Sequence, residues 1–207
     1  MVHLLTVKTD QNHIDSDHTE SQQITELLKA VRGGVPDADE ALFSCIYTEL
    51  HRMAHAAWRW VPASDTLQPT ALVNEMYARL FHQRDINWEN RRHFFATASR
   101  AMHDILVEQA RRHCSIKRGG NLKRMPLDEQ ENARVQTQAS DVLALDDALK
   151  QLRVHYPEHS RIVMLKMFAG LTYNQIAEIE QCSAVTVRRG WAFAKTWLKD
   201  HISGEDY

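Results

Sequence analysis

The chain has 207 residues, and only 7 of them are glycine and 5 are proline. Average usage would give about 25 of the two together, so turns and helix breakers are scarce and a β-sandwich or β-barrel is disfavoured. With 25 Lys and Arg against 27 Asp and Glu, the net charge singles out neither nucleic acid, anionic lipid nor an acidic substrate as a partner.

Hydrophobic periodicity predicts a helical bundle over residues 22–116, after a disordered acidic tail over residues 1–21. Apolar residues recur at three- and four-residue spacing in this bundle, and glycine, proline or polar segments separate its helices. The third helix leaves Asn74, Glu75 and Arg79 opposite its apolar side. The predicted helices run from the N-cap Ser21 to Gly33, from the cap Asp37 to about Trp60, from about Pro69 to His82 and from about Asn90 to Ile116.

Residues 117–139 contain Gly119, Gly120 and Pro126 and have no apolar period, which predicts an interdomain linker. A second helical domain is expected over residues 140–202, followed by a tail at residues 203–207. The expected fold class is all-α, with two small helical domains joined by a flexible linker. The helices of the second domain are predicted near residues 141–154, 157–169, 173–180 and 184–201.

Residues 170–198 combine two short helices with a tight turn. Thr172 and Gln175 form a capping box for the first helix, and Ser183 caps a second helix three residues after the first ends. This pattern is typical of a helix-turn-helix with outward arginines that reach phosphates and base edges, although a solvated helix face would explain those arginines equally well. At about 100° per residue, the inward stripe of the second helix comprises Val187, Trp191, Ala194 and Leu198, and the outward side comprises Val185, Arg189, Ala192 and Thr196, flanked by Arg188, Lys195 and Lys199.

Two motifs in this order resemble an extracytoplasmic-function sigma factor. The segment YPEHSRIVMLKMFAGLTYNQIAEIEQCSAVTVRRGWAFAKTWL resembles region 4, which reads the minus-35 promoter element. LQPTALVNEMYARLF resembles region 2.2, and NWENRRHFFATASRAMHDILVEQARRHCSIKRGG resembles regions 2.3 and 2.4. The resemblance covers about residues 22–202. It implies a transcription initiation factor that binds core RNA polymerase and promoter DNA, both as duplex and as a melted strand.

The resemblance assigns two sets of site residues to the first domain. The set that contacts the clamp of the largest polymerase subunit comprises Asn74, Glu75 and Arg79. The set that holds the melted minus-10 strand comprises Trp88, Asn90, Arg91 and Arg92. An exposed aromatic can stack on an unpaired base while arginine follows the backbone. The alternatives are a solvated helix face for the first set and, for Trp88, a loop anchor buried on the bundle.

Two further sets are expected to contact DNA. The recognition helix would read the minus-35 element with Ser183, Ala184, Val185, Thr186, Arg188, Arg189 and Lys195. The DNA backbone would be contacted by Arg111, Arg112, Lys117 and Arg118. These last four lie in residues 100–125, which have a local charge of +5, whereas residues 126–147 have one of −5. We expect the acidic segment to shield the cations until polymerase is bound.

Three positions depart from the family pattern. Gln181 stands where the turn commonly has glycine, and a left-handed conformation there costs a non-glycine residue about 1 to 2 kcal/mol, so we expect a reshaped turn. Gly190 lies inside the recognition helix where the family often has an acid, and glycine lowers helix propensity by about 1 kcal/mol. Ala71 replaces an acid at the start of region 2.2, which weakens the expected polymerase contact.

The sequence predicts no enzymatic activity, cofactor or metal. His51 and His55 have helical spacing, but HRMAH lacks the glutamate of a zinc protease motif, and Cys114 beside Arg111 and Arg112 has no third group to make a reactive thiol. Phosphate-binding and nucleophile-elbow motifs are missing from the sequence.

The protein is expected in the cytoplasm, as a monomer when free and without membrane contact. Its cysteines, Cys45, Cys114 and Cys182, form no CxxC pair, and no basic leader or long apolar run is present. The sequence leaves open whether an anti-sigma factor binds this chain. Two rival interpretations are a stand-alone helix-turn-helix regulator and a helical interaction protein that does not bind DNA.

Overall fold

Helices occupy most of the part of the chain that the structure describes. The computed structural model describes residues 17–57, 69–81, 88–116 and 129–203, and these ranges contain eight helices and no strand. The predicted all-α class is confirmed. The helices are α1 (Asp17–Arg32), α2 (Ala38–Ala57), α3 (Pro69–Phe81), α4 (Arg91–Ile116), α5 (Glu129–His155), α6 (Pro157–Met167), α7 (Tyr173–Glu180) and α8 (Ala184–Ser203).

Helices α1 to α4 form the first helical group, in which consecutive helices pack on one another and α4 also contacts α1 and α2. Their apolar residues recur at i, i+3 and i+4, so each helix turns one stripe inward. The interior of this group is filled by large side chains that include Ile24, Ile46, Leu50, Met53, Leu72, Met76, Phe94, Phe95 and Met102.

Helices α5 to α8 form the second helical group, in which α8 packs against α5, α6 and α7. Pro157 opens α6, a position that tolerates proline because the first backbone N–H groups of a helix have no intrahelical acceptor. The buried residues of this group include Leu152, Val163, Leu171, Ile176, Val187, Trp191, Ala194 and Leu198.

The two helical groups pack against each other in a closed arrangement. Helix α4 packs along α5 and also contacts α6 and α7. One hydrophobic core runs through both groups, and a smaller cluster joins Val107 and Ala110 of α4 to Ala139 and Val142 of α5. Gly170, in the connection between α6 and α7, approaches α2 so closely that an added Cβ would lie 2.5 Å from the Ala56 Cβ.

Two helices begin earlier than the sequence pattern predicts. Helix α1 starts at Asp17, so Ser21 lies inside the helix and is not its N-cap. Helix α5 starts at Glu129, within the segment expected to be linker. Its first turns, EQENARVQTQA, have few apolar positions to reveal a period, yet glutamate, glutamine, alanine and arginine favour helix. Residues 1–16, most of the predicted tail, lie outside the described residues, as do residues 117–128 of the linker.

Candidate nucleic-acid interface

The α7–α8 pair is built by two caps and a left-handed turn. The Thr172 Oγ1 accepts a hydrogen bond from the Gln175 N–H at 3.3 Å, and the Gln175 Oε1 accepts one from the Thr172 N–H at 2.7 Å. Ser183 Oγ accepts from the Thr186 N–H at 3.0 Å and so caps α8. The predicted capping box and the Ser183 cap are both confirmed.

The expected reshaping of the turn was wrong. Gln181 ends α7 with φ 54° and ψ 44°, the left-handed conformation that glycine usually provides. The following N–H, that of Cys182, reaches the carbonyl of Ala177 at 2.9 Å. The turn therefore has the usual helix-turn-helix geometry, and the β-carbon of Gln181 is strained by the left-handed backbone conformation.

Helix α8 has one buried and one exposed face, as its stripe predicts. Val187, Trp191, Ala194 and Leu198 are buried. The outward side includes Val185, which is 54% exposed, and the exposed Arg188 and Arg189, while Lys195 is half-buried. All of the residues predicted to read duplex DNA thus lie along the cap and one side of this helix.

Gly190 is explained by the packing of α8 on α6. It is buried, and a Cβ added there would lie 2.7 Å from the Ile162 Cδ1. The bare backbone lets the two helices approach, which offsets the lower helix propensity of glycine. The departure from the family pattern at this position is therefore a packing adjustment.

Tyr173 is a half-buried residue of this pair that the sequence pattern did not indicate. Its ring lies 4.7 Å from the Lys166 Nζ and 5.7 Å from the Arg188 Cζ, one cation from α6 and one from α8. Burial raises the pKa of Tyr173, and the Arg188 charge opposes that rise. The capping box at Thr172 makes Tyr173 the first residue of α7, which could have marked it as a neighbour of α8.

The predicted polymerase-binding residues share the outer side of α3. Asn74 and Glu75 are exposed. Arg79 donates to Glu75 Oε1 at 3.0 Å and binds both carboxylate oxygens of Glu108 on α4, at 3.2 and 2.7 Å. The Arg79 hydrogen bond is the largest influence on Glu108 and lowers its pKa, and the same contact raises the pKa of Arg79.

Trp88 is a buried anchor and not an exposed aromatic. Its side chain is 5% exposed and contacts the Phe81 and Phe94 rings edge-on at centroid distances of 5.6 and 5.1 Å. Its carbonyl accepts a hydrogen bond from Arg32 Nη2 at 2.7 Å. The expectation that it stacks on an unpaired base is not compatible with this packing, because neighbouring rings already cover it. The alternative interpretation, a loop anchor on the bundle, describes it correctly.

Asn90, Arg91 and Arg92 lie together at the start of α4. Asn90 Oδ1 accepts from the His93 N–H at 3.1 Å and so caps the helix. Arg91 Nη2 lies 2.9 Å from Glu178 Oε2, and Arg92 Nη2 lies 3.0 Å from Glu180 Oε2. Both acids belong to α7, so the two arginines face the second helical group.

The predicted backbone cations at the end of α4 have acidic neighbours. Arg111 Nη2 lies 3.3 Å from Asp146 Oδ2 of α5, and Arg112 Nη2 lies 3.8 Å from Glu108 Oε2. Lys117 and Arg118 lie outside the described residues. Asp146 is part of the acidic segment that was expected to shield these cations, and it contacts one of them.

Asp146 also forms a buried charged centre that the sequence did not indicate. It is 3% exposed, and His103 Nε2 and Lys150 Nζ lie 3.4 and 2.8 Å from its carboxylate. Hydrogen bonds to Asp146 and Asp147 raise the pKa of Lys150. Nothing in the sequence distinguishes Asp146 from its neighbour Asp147, which is exposed.

Other site classes find no support within the described ranges. No group of three or more His, Cys, Asp or Glu side chains there is placed to hold a metal ion. The same part of the chain contains no helix with the length and apolar composition of a membrane span. Cys45, Cys114 and Cys182 form no disulfide with one another, and burial, followed by Glu180 and Glu158, raises the pKa of Cys182.

Comparison with known proteins places the chain in a family. The family model described as ECF sigma factor matches residues 21–204. No curated protein and no solved structure matches the chain.

Proposed function

Because this chain belongs to the ECF sigma factor family, whose members act in transcription initiation, we propose that it binds core RNA polymerase through its first helical group and reads duplex promoter DNA through its second. The observation that carries the proposal is the outer side of α8, where Arg188 and Arg189 are exposed beside the capped helix start at Ser183. Neither group performs bond chemistry in this mechanism.

In the second helical group, the first turns of α8 enter the major groove of the minus-35 element. The groove admits an α-helix, and arginine pairs with guanine edges or with phosphates. Arg188 and Arg189 supply these contacts, and Val185 offers an apolar surface for thymine methyl groups. Ser183, Ala184, Thr186 and Lys195 complete the set along the same side.

In the first helical group, α3 docks on the clamp of the largest polymerase subunit. Asn74 and Glu75 are exposed, and Arg79 is held in place by the carboxylate of Glu108. A side chain that is already ordered loses less entropy on binding. Ala71 is exposed in the same helix, so the acid it replaces would have faced the partner.

The start of α4 holds the melted minus-10 strand. Arg91 and Arg92 follow its phosphates, with Asn90 beside them, while Trp88 packs on the Phe81 and Phe94 rings behind them. A ligand shifts an equilibrium by its differential affinity for the two states. Promoter opening therefore follows from tighter binding to the unpaired strand than to the duplex.

The double substitution Arg188→Ala/Arg189→Ala tests the DNA contact. We expect weaker promoter binding and a salt slope smaller by roughly 2, because each phosphate contact releases about one counterion. The measurement is promoter affinity of the complex with core polymerase across a salt series, together with specific transcript yield. The matched control, Lys29→Ala/Arg153→Ala, removes two exposed cations from α1 and α5 and leaves both values unchanged.

Two results would contradict the proposal. Unchanged promoter affinity and salt slope in the double variant would favour a helical interaction protein. Specific duplex binding without any association with core polymerase would favour a stand-alone helix-turn-helix regulator.

A further inference from the structure

Acids of α7 neutralise the cations at the start of α4 in the closed arrangement. Arg91 and Arg92 open α4, and each binds an acid near the end of α7, Glu178 or Glu180, at 2.9 and 3.0 Å. Arg161 of α6 shares Glu180 at 3.2 Å. The Arg91 side chain is only 11% exposed, so a phosphate could reach its guanidinium only after α7 has moved away.

The four charges lie at helix ends that do not favour them. Cations are disfavoured at the positive N-terminal end of a helix and anions at its negative C-terminal end. Helix α4 has no acid in its first turn, and α7 has no basic residue in its last turn. In each helix the charges therefore interact unfavourably with the helix dipole. The ion pairs between α4 and α7 offset this cost in both helices. Sequences break local rules in this way mainly where function requires it.

We propose that Glu178 and Glu180 form an autoinhibitory clasp, in which their carboxylates occupy Arg91 and Arg92 in the place of DNA phosphates. The proposal rests on the proposed function of those arginines. A carboxylate and a phosphate use the same guanidinium hydrogen bonds, so each arginine binds either the acid of α7 or the DNA. The clasp must open before the minus-10 strand can be held.

The spacing of the promoter elements leads to the same requirement. Elements centred near minus-10 and minus-35 lie ~85 Å apart along straight B-DNA, at 3.4 Å per base pair. In the closed arrangement α4 and α7 are in direct contact. One molecule cannot place these helices on both elements until the helical groups separate.

The interface is suited to opening. A cleft of about 670 Å³ separates parts of α4, α5 and α6 beside the ion pairs, and Arg92, Arg161 and Glu180 line it. The Arg92 side chain is 48% exposed. Glu178 is 36% exposed, so each of the two ion pairs has one partner that reaches solvent. Ion pairs that reach solvent are weak individually and are screened by salt, so a polymerase surface or a DNA strand can displace them.

The double substitution Glu178→Gln/Glu180→Gln in the full chain tests the clasp. We expect a larger radius of gyration in small-angle X-ray scattering, together with binding to a fluorescent single-stranded thymidine oligonucleotide that is roughly threefold to tenfold tighter. The matched control, Glu26→Gln/Glu40→Gln, removes the same charge from exposed positions on α1 and α2. It keeps the wild-type radius and affinity.

The proposal is overturned if either quantity in the α7 variant equals that of the control. An unchanged radius would mean that the acids do not hold the groups together. A larger radius with unchanged DNA affinity would mean that they do not compete with phosphate. The proposed function is tested separately, by transcription with core polymerase and the wild-type chain, so its failure is distinguishable from the failure of the clasp.

Discussion

The conformation and burial of single residues at the candidate interface depend on the residues that pack against them. The sequence draws attention to Trp88 and Gln181, but the conformation of each is set by its contacts. Trp88 is buried because the Phe81 and Phe94 rings enclose it, which no local pattern states. Gln181 takes a left-handed conformation because the short turn between α7 and α8 requires one there.

The substitution Gln181→Gly should stabilise the protein. Glycine has no β-carbon and so removes a conformational penalty of about 1 to 2 kcal/mol, while its freer unfolded state takes back part of that gain. We expect the free energy of unfolding to rise by about 0.5 to 1 kcal/mol, measured as a higher urea midpoint. Gln181→Ala keeps the β-carbon and should show no increase; a glycine variant no more stable than this control would contradict the prediction.

At the scale of helices, the Arg79–Glu108 contact ties α3 to α4 and makes their packing depend on pH. The Arg79 guanidinium lowers the pKa of Glu108, so the ionised carboxylate is favoured in the folded state. The contribution of this ion pair to the free energy of unfolding is complete above the pKa that Glu108 has in the unfolded chain, about 4.3. It is lost as the pH falls through the lowered folded pKa.

The substitution Glu108→Gln should therefore destabilise the protein by about 0.5 to 1 kcal/mol at pH 7. The difference from the wild type should begin to shrink as the pH falls below about 4.3 and should vanish below the lowered folded pKa, because only there is the wild-type carboxyl neutral in the folded state as well. Urea unfolding across this pH range measures it. Glu26→Gln on α1, an exposed position, serves as control. An offset that is the same at every pH would refute the assignment.

The sequence predicts the start of a helix closely where a cap or a proline marks it, and poorly where neither does. Helix α7 and the start of α8 match their predicted positions because Thr172 and Ser183 mark where each begins. Helix α3 is also close, since Pro69 opens it. The beginnings of α1 and α5 were missed because polar residues dominate there, so neither an apolar stripe nor a cap distinguishes helix from tail.

At the scale of the molecule, the closed arrangement of the two groups could not be predicted. The α4–α5 contact uses small apolar residues such as Ala110 and Ala139, which carry no distinctive signal. The partners of Arg91 and Arg92 lie more than eighty residues away along the chain. The resemblance to a family nominated Arg91 and Arg92 as candidate DNA contacts. Only the fold shows that they pair with acids of α7.

The shared core should make the closed molecule unfold as one unit. Differential scanning calorimetry should give a single transition for the wild type. Gly170→Ala should divide it into two, because the new Cβ would lie 2.5 Å from that of Ala56 and force the groups apart. Gly34→Ala is the matched control: its φ of +68° nearly equals the +67° of Gly170, but no atom lies within 4 Å.

In that comparison, both variants carry similar backbone strain, and only one carries a steric wedge. The control should melt at a lower temperature in one step. Two transitions in the wild type would show that the groups unfold independently. Identical melting profiles in both variants would show that a side chain at position 170 does not force the groups apart.

The small cluster between α4 and α5 also has a consequence for synthesis on the ribosome. Val107 and Ala110 are made before Ala139 and Val142, which cover them. At about 5 to 20 residues per second, the ribosome needs roughly two to six seconds to add the intervening segment. During that interval the nascent first group presents an uncovered apolar strip, which is the kind of surface that chaperones bind, and its burial awaits the emergence of α5.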